Sequence, residues 1–190
     1  MTSKTGSVIL RWLLVTAGSA WIAPAAAAPD KGPAGEFTAT ARVETPSGSR
    51  TMGVQIFVQR PMTVEKAQPL KKVLADGGQQ ALLAAIQGSN RGHFRFGAID
   101  YPIDLVVAQE TRDGFKYVIV TARPLKYEEV NERRDSLEHP FTVVIFEAPS
   151  FGSGEGEVYT KAALQVEQDG WVRVYEYGRD PGTLKDVKRK

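Results

Sequence analysis

The stretch Ile103–Ala122, IDLVVAQETRDGFKYVIVTA, decides the fold class. Ile103, Leu105 and Val107 recur at every second position, the period of a β-strand whose side chains alternate between two faces. Asp113-Gly114 then supplies the turn signal of a hairpin. The return segment, Phe115 to Ala122, is apolar on both faces, so it reads as a central strand covered from above and below.

Working outward, Phe141–Phe146 has the same two-faced apolar character. A Gly-rich loop, Ser150 to Gly156, separates it from the alternating residues Val158, Thr160, Ala162, Leu164 and Val166. Asp169-Gly170 turns the chain into a last strand, Trp171 to Tyr177. Toward the N-terminus, Phe94 and Phe96 alternate with His93 and Arg95. Phe37, Ala39, Ala41 and Val43 alternate with polar residues, and Pro46-Ser47-Gly48-Ser49 turns that strand into Val54, Ile56 and Val58. Residues 126–139 are dense in charge and read as an irregular or briefly helical excursion. One region breaks the period of two. Leu70, Val73, Leu74, Leu82, Leu83 and Ile86 recur at three and four, as on one face of a helix. Thr63 can cap its start, Pro69 is awkward inside it, Gly77-Gly78 interrupts it and Gly88 ends it. This predicts two short helices, with the regular part beginning near Pro69. The pair reads either as a lid packed on one end or side of the sheet or as a mobile lid over a ligand pocket, hinged at Gly77-Gly78.

The expected fold is mainly β, an antiparallel β-barrel or sandwich of about eight strands with a short helical insert. Residues 1–27 read as an export leader, 28–35 as a flexible lead-in and 36–180 as a single domain with the insert at 63–88. Residues 181–190 read as a basic C-terminal tail carrying Lys185, Lys188, Arg189 and Lys190. The leader reading rests on the basic Lys4 and Arg11, the apolar Trp12–Val15 with Trp21 and Ile22, and the small residues Ala25-Ala26-Ala27 before a cut at Ala28. Gly18, Ser19 and Pro24 make the same stretch a poor membrane anchor, so no stable span is expected after cleavage. The protein is expected in the periplasm or outside the cell.

The composition, 42% hydrophobic and 24% charged over 190 residues, fits one globular domain and neither a disordered chain nor a membrane bundle. The absence of cysteine excludes disulfides, thiolate metal sites and a cysteine nucleophile. Cutting after Ala27 removes two bases and no acid, leaving 22 bases against 22 acids. A neutral exported chain gives no reason to expect nucleic acid as a partner.

The chemistry-bearing candidates are sparse. Gly152-Ser153-Gly154-Glu155-Gly156 lacks the helix that a phosphate loop needs after it, and Ser153 lacks the G-x-S-x-G spacing of a nucleophile elbow. Asp100 and Asp104 flank Pro102, and together with Glu110 they are the acids available to a hydrolase. Glu128 and Glu129 are adjacent, which on a strand points them apart. His93 and His139 have no ligand-like spacing, so no metal and no cofactor are expected. The most unusual stretch is Trp171–Tyr177. Trp171, Arg173, Tyr175 and Tyr177 share one face and Val172 and Val174 the other, which makes the aromatic stripe the candidate binding surface.

Several short segments, Gly78-Gln79-Gln80-Ala81-Leu82 with Ile86, Thr121-Ala122-Arg123-Pro124, Pro140-Phe141-Thr142, Gly154-Glu155-Gly156-Glu157 and Leu184-Lys185-Asp186-Val187, spread over most of the chain from Gly53 onward. On these the chain resembles an uncharacterised family of exported bacterial β-rich proteins. The resemblance implies an exported protein of this build; it brings no assigned activity and no site residues. The expected function is non-catalytic binding of a small apolar ligand or an envelope component. The alternatives are a hydrolase of envelope or extracellular polymers and an assembly protein that recognises a partner through a strand edge.

Overall fold

The computed structural model describes residues 8–10, 33–45, 48–123, 138–177 and 180–190, and the statements below concern these. The elements in chain order are β1 (Val8–Leu10), β2 (Gly35–Thr45), β3 (Gly48–Val58), α1 (Val64–Ile86), β4 (Gly92–Phe96), β5 (Ile99–Ile103) and β6 (Leu105–Thr111). They continue with β7 (Gly114–Thr121), β8 (Phe141–Pro149), β9 (Gly154–Val166), β10 (Val172–Glu176) and β11 (Gly182–Arg189).

Nine strands follow the order β5-β4-β3-β2-β11-β9-β8-β7-β6, every neighbouring pair antiparallel. The two ends of this path, β5 and β6, are separated in sequence by Asp104 alone. One bent piece of chain therefore pairs with β4 through its first half and with β7 through its second, which nearly closes the sheet into a barrel. Of the two expected architectures, the barrel is the one formed. Met62 covers the other edge of β6: its N–H donates to the Val106 carbonyl and its carbonyl accepts from Ala108, both at 2.9 Å. β10 lies off the barrel path, paired to the second half of β9 where β11 pairs to the first.

Alternation sorts the apolar residues into two cores. Phe37, Ile56, Phe94, Ile103, Val106, Tyr117, Ile119, Val144, Phe146 and Leu184 point inward and fill the barrel. Phe37, Tyr117 and Phe146 meet there with ring centroids 5.0–5.2 Å apart. Leu105, Val107, Val120, Phe141, Val143, Ile145, Leu164, Val172 and Val174 point the other way, toward α1. β7 and β8 are apolar on both faces because they serve both cores, as the sequence pattern predicts.

Three boundaries differ from the sequence expectation. The helix starts at Val64, ahead of Pro69, with Lys66 N–H donating to the Thr63 hydroxyl at 3.5 Å. Pro69 falls in the second turn and forgoes one backbone bond there. The expected basic tail is strand β11, inserted between β2 and β9, so the domain runs on through Arg189. β5 is a further strand, with Pro102 opposite His93. The break at the glycine pair is present, for Gly78 has φ 69° and ψ −166°. The charged excursion is described only at its end, and most of the proposed leader lies outside the described residues.

Two buried phenols make an alkaline prediction. Tyr117 donates to the Pro33 carbonyl at 2.9 Å, and burial pushes its pKa up from 10.0 to about 12. Tyr159 donates to Glu157 at 2.8 Å and is also pushed up, first by burial and then by that carboxylate. A raised pKa in the folded state means the contribution is intact below the ordinary phenol value of 10.0 and is lost as pH climbs through the folded value. Urea midpoints should stay level up to about pH 10 and fall by about pH 12, and Tyr117→Phe should flatten part of that fall. An unchanged slope in the variant would contradict the assignment.

Candidate functional site

The outer apolar face of β6, β7, β9 and β10 is crossed by α1 because both surfaces must be removed from water. The cover is incomplete. Ala67, Leu70, Lys71, Leu74 and Leu82 of α1 stand over Leu105, Val107, Val118, Val120, Leu164, Val172 and Val174, leaving a cleft of about 40 Å³ between helix and sheet. That space exceeds what a water requires, but it falls short of the roughly 150 Å³ that accommodates a benzene ring. A larger occupant enters only as the helix shifts.

The helix is fastened unevenly. Its second half is tied down by Gln79, which donates to the Glu138 carbonyl at 2.8 Å and accepts from Leu164 N–H at 3.1 Å. Just beyond that half, Gly88 N–H donates to Asp104 at 2.9 Å. The cleft-lining Leu70, Lys71 and Leu74 lie on the other side of the Gly78 break from these bonds. Lys71 brings its ammonium group beside Gly170, at the β9–β10 turn. The lining holds this one ionisable side chain and is otherwise aliphatic, a surface that binds by exclusion of water and offers no acid–base pair.

The aromatic stripe is arranged as its alternation requires. Val172 and Val174 are buried in the core under α1, and Arg173 and Tyr175 share the opposite face, half-buried. Trp171 precedes the strand, half-buried, and Tyr177 follows it, 40% exposed. Glu167, from the β9–β10 turn, joins the stripe. Tyr175 donates a hydrogen bond to it, and Arg173 Nε lies 3.8 Å from its Oε1. That bond raises the Tyr175 pKa. Tyr177 packs against His139, with centroids 5.0 Å apart, and under the Lys161 ammonium at 5.8 Å. The turn itself is ordered by Trp171 N–H, which donates to Asp169 at 2.9 Å.

The hydrolase carboxylates occupy three separate environments. Asp100 is on the surface in a two-point pair with Arg95, both bonds 3.0 Å, and the guanidinium holds its pKa below the usual carboxylate range. Asp104 is buried and accepts from Gly88 N–H and Ala122 N–H. Glu110 is exposed near the far end of β6. Glu128 and Glu129 lie outside the described residues. His93 stacks on Phe57 at 4.3 Å, away from His139, which packs on Tyr177. Among the described residues no three His, Asp or Glu side chains gather as metal ligands. The Gly-rich loop joins two strands, as expected, and carries Phe151 at its tip, 93% exposed. Among the described residues no helix is long and apolar enough to cross a membrane.

Compared with protein-family models, curated proteins and solved structures, the chain matches none.

The sequence leaves open a pocket under the broken helix but does not show which residues line the cleft. Its lining comes from α1 and four strands distant in sequence, and periodicity marks each segment as apolar without saying which faces meet imperfectly. The usable signal was the pairing of two-faced strands with a helix broken at Gly77-Gly78.

Proposed function

We propose that this protein is an exported, non-catalytic binding protein that takes a small apolar ligand, or an apolar group of an envelope component, between α1 and the outer face of the barrel. The observation that carries this reading is the aliphatic cleft beside a helix broken at Gly78. The barrel interior offers a poorer location, since aromatic side chains pack it. Export, the leader and the resemblance to exported β-rich proteins belong to the same reading.

The test begins with native mass spectrometry of the protein recovered after export, looking for a mass that leaves on denaturation. Titration with the apolar fluorophore N-phenyl-1-naphthylamine follows. Saturable binding is expected, weakened at least tenfold by Val118→Trp, which fills the cleft, and unaltered by Trp171→Ala. A tenfold loss corresponds to about 1.4 kcal/mol. Loss in Trp171→Ala alone would move the site to the aromatic stripe, and the absence of saturable binding would remove the ligand reading.

A further inference from the structure

We propose that the outer edge of β10 is a strand-addition site for an extended apolar segment of a partner protein, held in the full chain by its own Val8–Leu10 and opened when the leader is removed. This goes beyond ligand binding in the cleft and uses the edge of β10 where the cleft uses its face.

The starting observation is the pairing of β1. It lies antiparallel to β10 with Val8 opposite Val174, Ile9 opposite Arg173 and Leu10 opposite Val172, and among the described residues it pairs with no other strand. The nine-strand path is complete without it. A cut after Ala27 would therefore delete β1, keep the barrel and take from the outward N–H and C=O groups of Val172 and Val174 the partner that β1 gives them. An unpaired row of that kind is a template for another strand.

The side chains of β10 specify what the added strand should be. Val172 and Val174 are buried under α1, and a strand in the register of β1 would place its first and third residues on their side of the sheet. Its middle residue would stand beside Arg173, on the face that carries Tyr175 and Glu167. The fitting segment is apolar–any–apolar, the pattern of β1 itself. A second copy of β10 fits worse. Two-fold pairing centred on Arg173 opposes two guanidinium groups, and pairing centred on Val174 sets Glu176 against Val172. Like charges directly opposite destabilise an antiparallel pair.

Hydrogen exchange on the full chain and on the chain beginning at Ala28 tests this. The outward amides of Val172 and Val174 should be slow in the full chain and at least about 100-fold faster in the shorter one, while β8 amides stay slow in both. The peptide GSVILR, residues 6–11, should restore slow exchange saturably, and the same peptide with Val8 and Leu10 replaced by Asp should not. Fast exchange in both chains, slow exchange in both, or no effect of the peptide would each overturn the proposal. So would a concentration-dependent dimer that protects β10 in the shorter chain, since the occupant would then be a second copy. Should the shorter chain lose β8 protection, the full chain carrying Val8→Pro replaces it, because Val8 stands opposite Val174, whose N–H and C=O point outward, and proline cannot donate within a strand pair.

Discussion

Asp104→Ala is expected to lower unfolding free energy by about 3–5 kcal/mol, read from guanidinium titration followed by tryptophan fluorescence. The carboxylate sits at the single residue between β5 and β6, 5% exposed, and each oxygen accepts one backbone N–H: Gly88 at 2.9 Å and Ala122 at 2.8 Å. Gly88 follows the helix and Ala122 follows β7, so one side chain fastens the end of α1 and the end of β7 to the bend that closes the barrel. Alanine leaves both donors short of an acceptor. Hydrogen bonds to a charged group contribute about 1.5–3 kcal/mol each, and orphaned donors add desolvation cost. Asp104→Asn keeps one acceptor oxygen and turns a donor toward the other N–H, so it should cost about half as much. A loss under about 1 kcal/mol for the alanine variant would show that the bend holds without this residue.

The second large effect belongs to the glycines at the start of β9. A Cβ on Gly154 would stand 1.8 Å from the Glu147 carbonyl oxygen, and one on Gly156 would stand 2.2 Å from that of Ile145. Both obstacles are backbone atoms of the paired strand β8, which cannot swing aside as a side chain does. Either glycine changed to alanine forces β8 and β9 apart in the middle of the barrel, at a cost of about 3 kcal/mol or more. Gly53, on β3, has nothing within 4 Å of its would-be Cβ and provides the control. Gly53→Ala should be neutral or slightly stabilising, within about 1 kcal/mol. Equal stability of the Gly53 and Gly156 variants in urea titration would refute the steric account.

Legibility in the sequence followed how local the determining physics is. β7 and β8 are readable from Phe115–Ala122 and Phe141–Phe146 because burial on both faces writes itself into every residue. The hairpin at Asp169-Gly170 is readable because its geometry belongs to the turn alone, with Gly170 at φ 77°. β11 was hidden by a bulge. Asp186 takes φ 54°, the register slips between Lys185 and Lys188 against β2 and between Leu184 and Val187 against β9, and the buried Leu184 and Val187 end up three apart instead of two. Lys185 between them and Lys188 after them suggest a solvated tail, and both are indeed exposed, but on a barrel strand. β5 was hidden by Pro102, a residue that argues against a strand interior. At the candidate site, the two faces of β10 follow from alternation, whereas the placement of Glu167 beside Arg173 and in a hydrogen bond with Tyr175 depends on how the turn folds back. The cleft depends on five elements meeting and is invisible to any single one.

The placement of β11 has a consequence for the order in which the molecule can come into being. The last strand of the chain lies between β2, the first strand of the barrel, and the first half of β9. Until Gly182–Arg189 is available, β2 and β9 have no neighbour on those sides, and the aromatic interior stands open along that gap. A chain emerging N-terminus first, from a ribosome or through a translocation channel, therefore stays unclosed until residues 182–189 are delivered. Closure is a post-delivery event, and a chain cut short before residue 182 would retain two bare edges and a wet core.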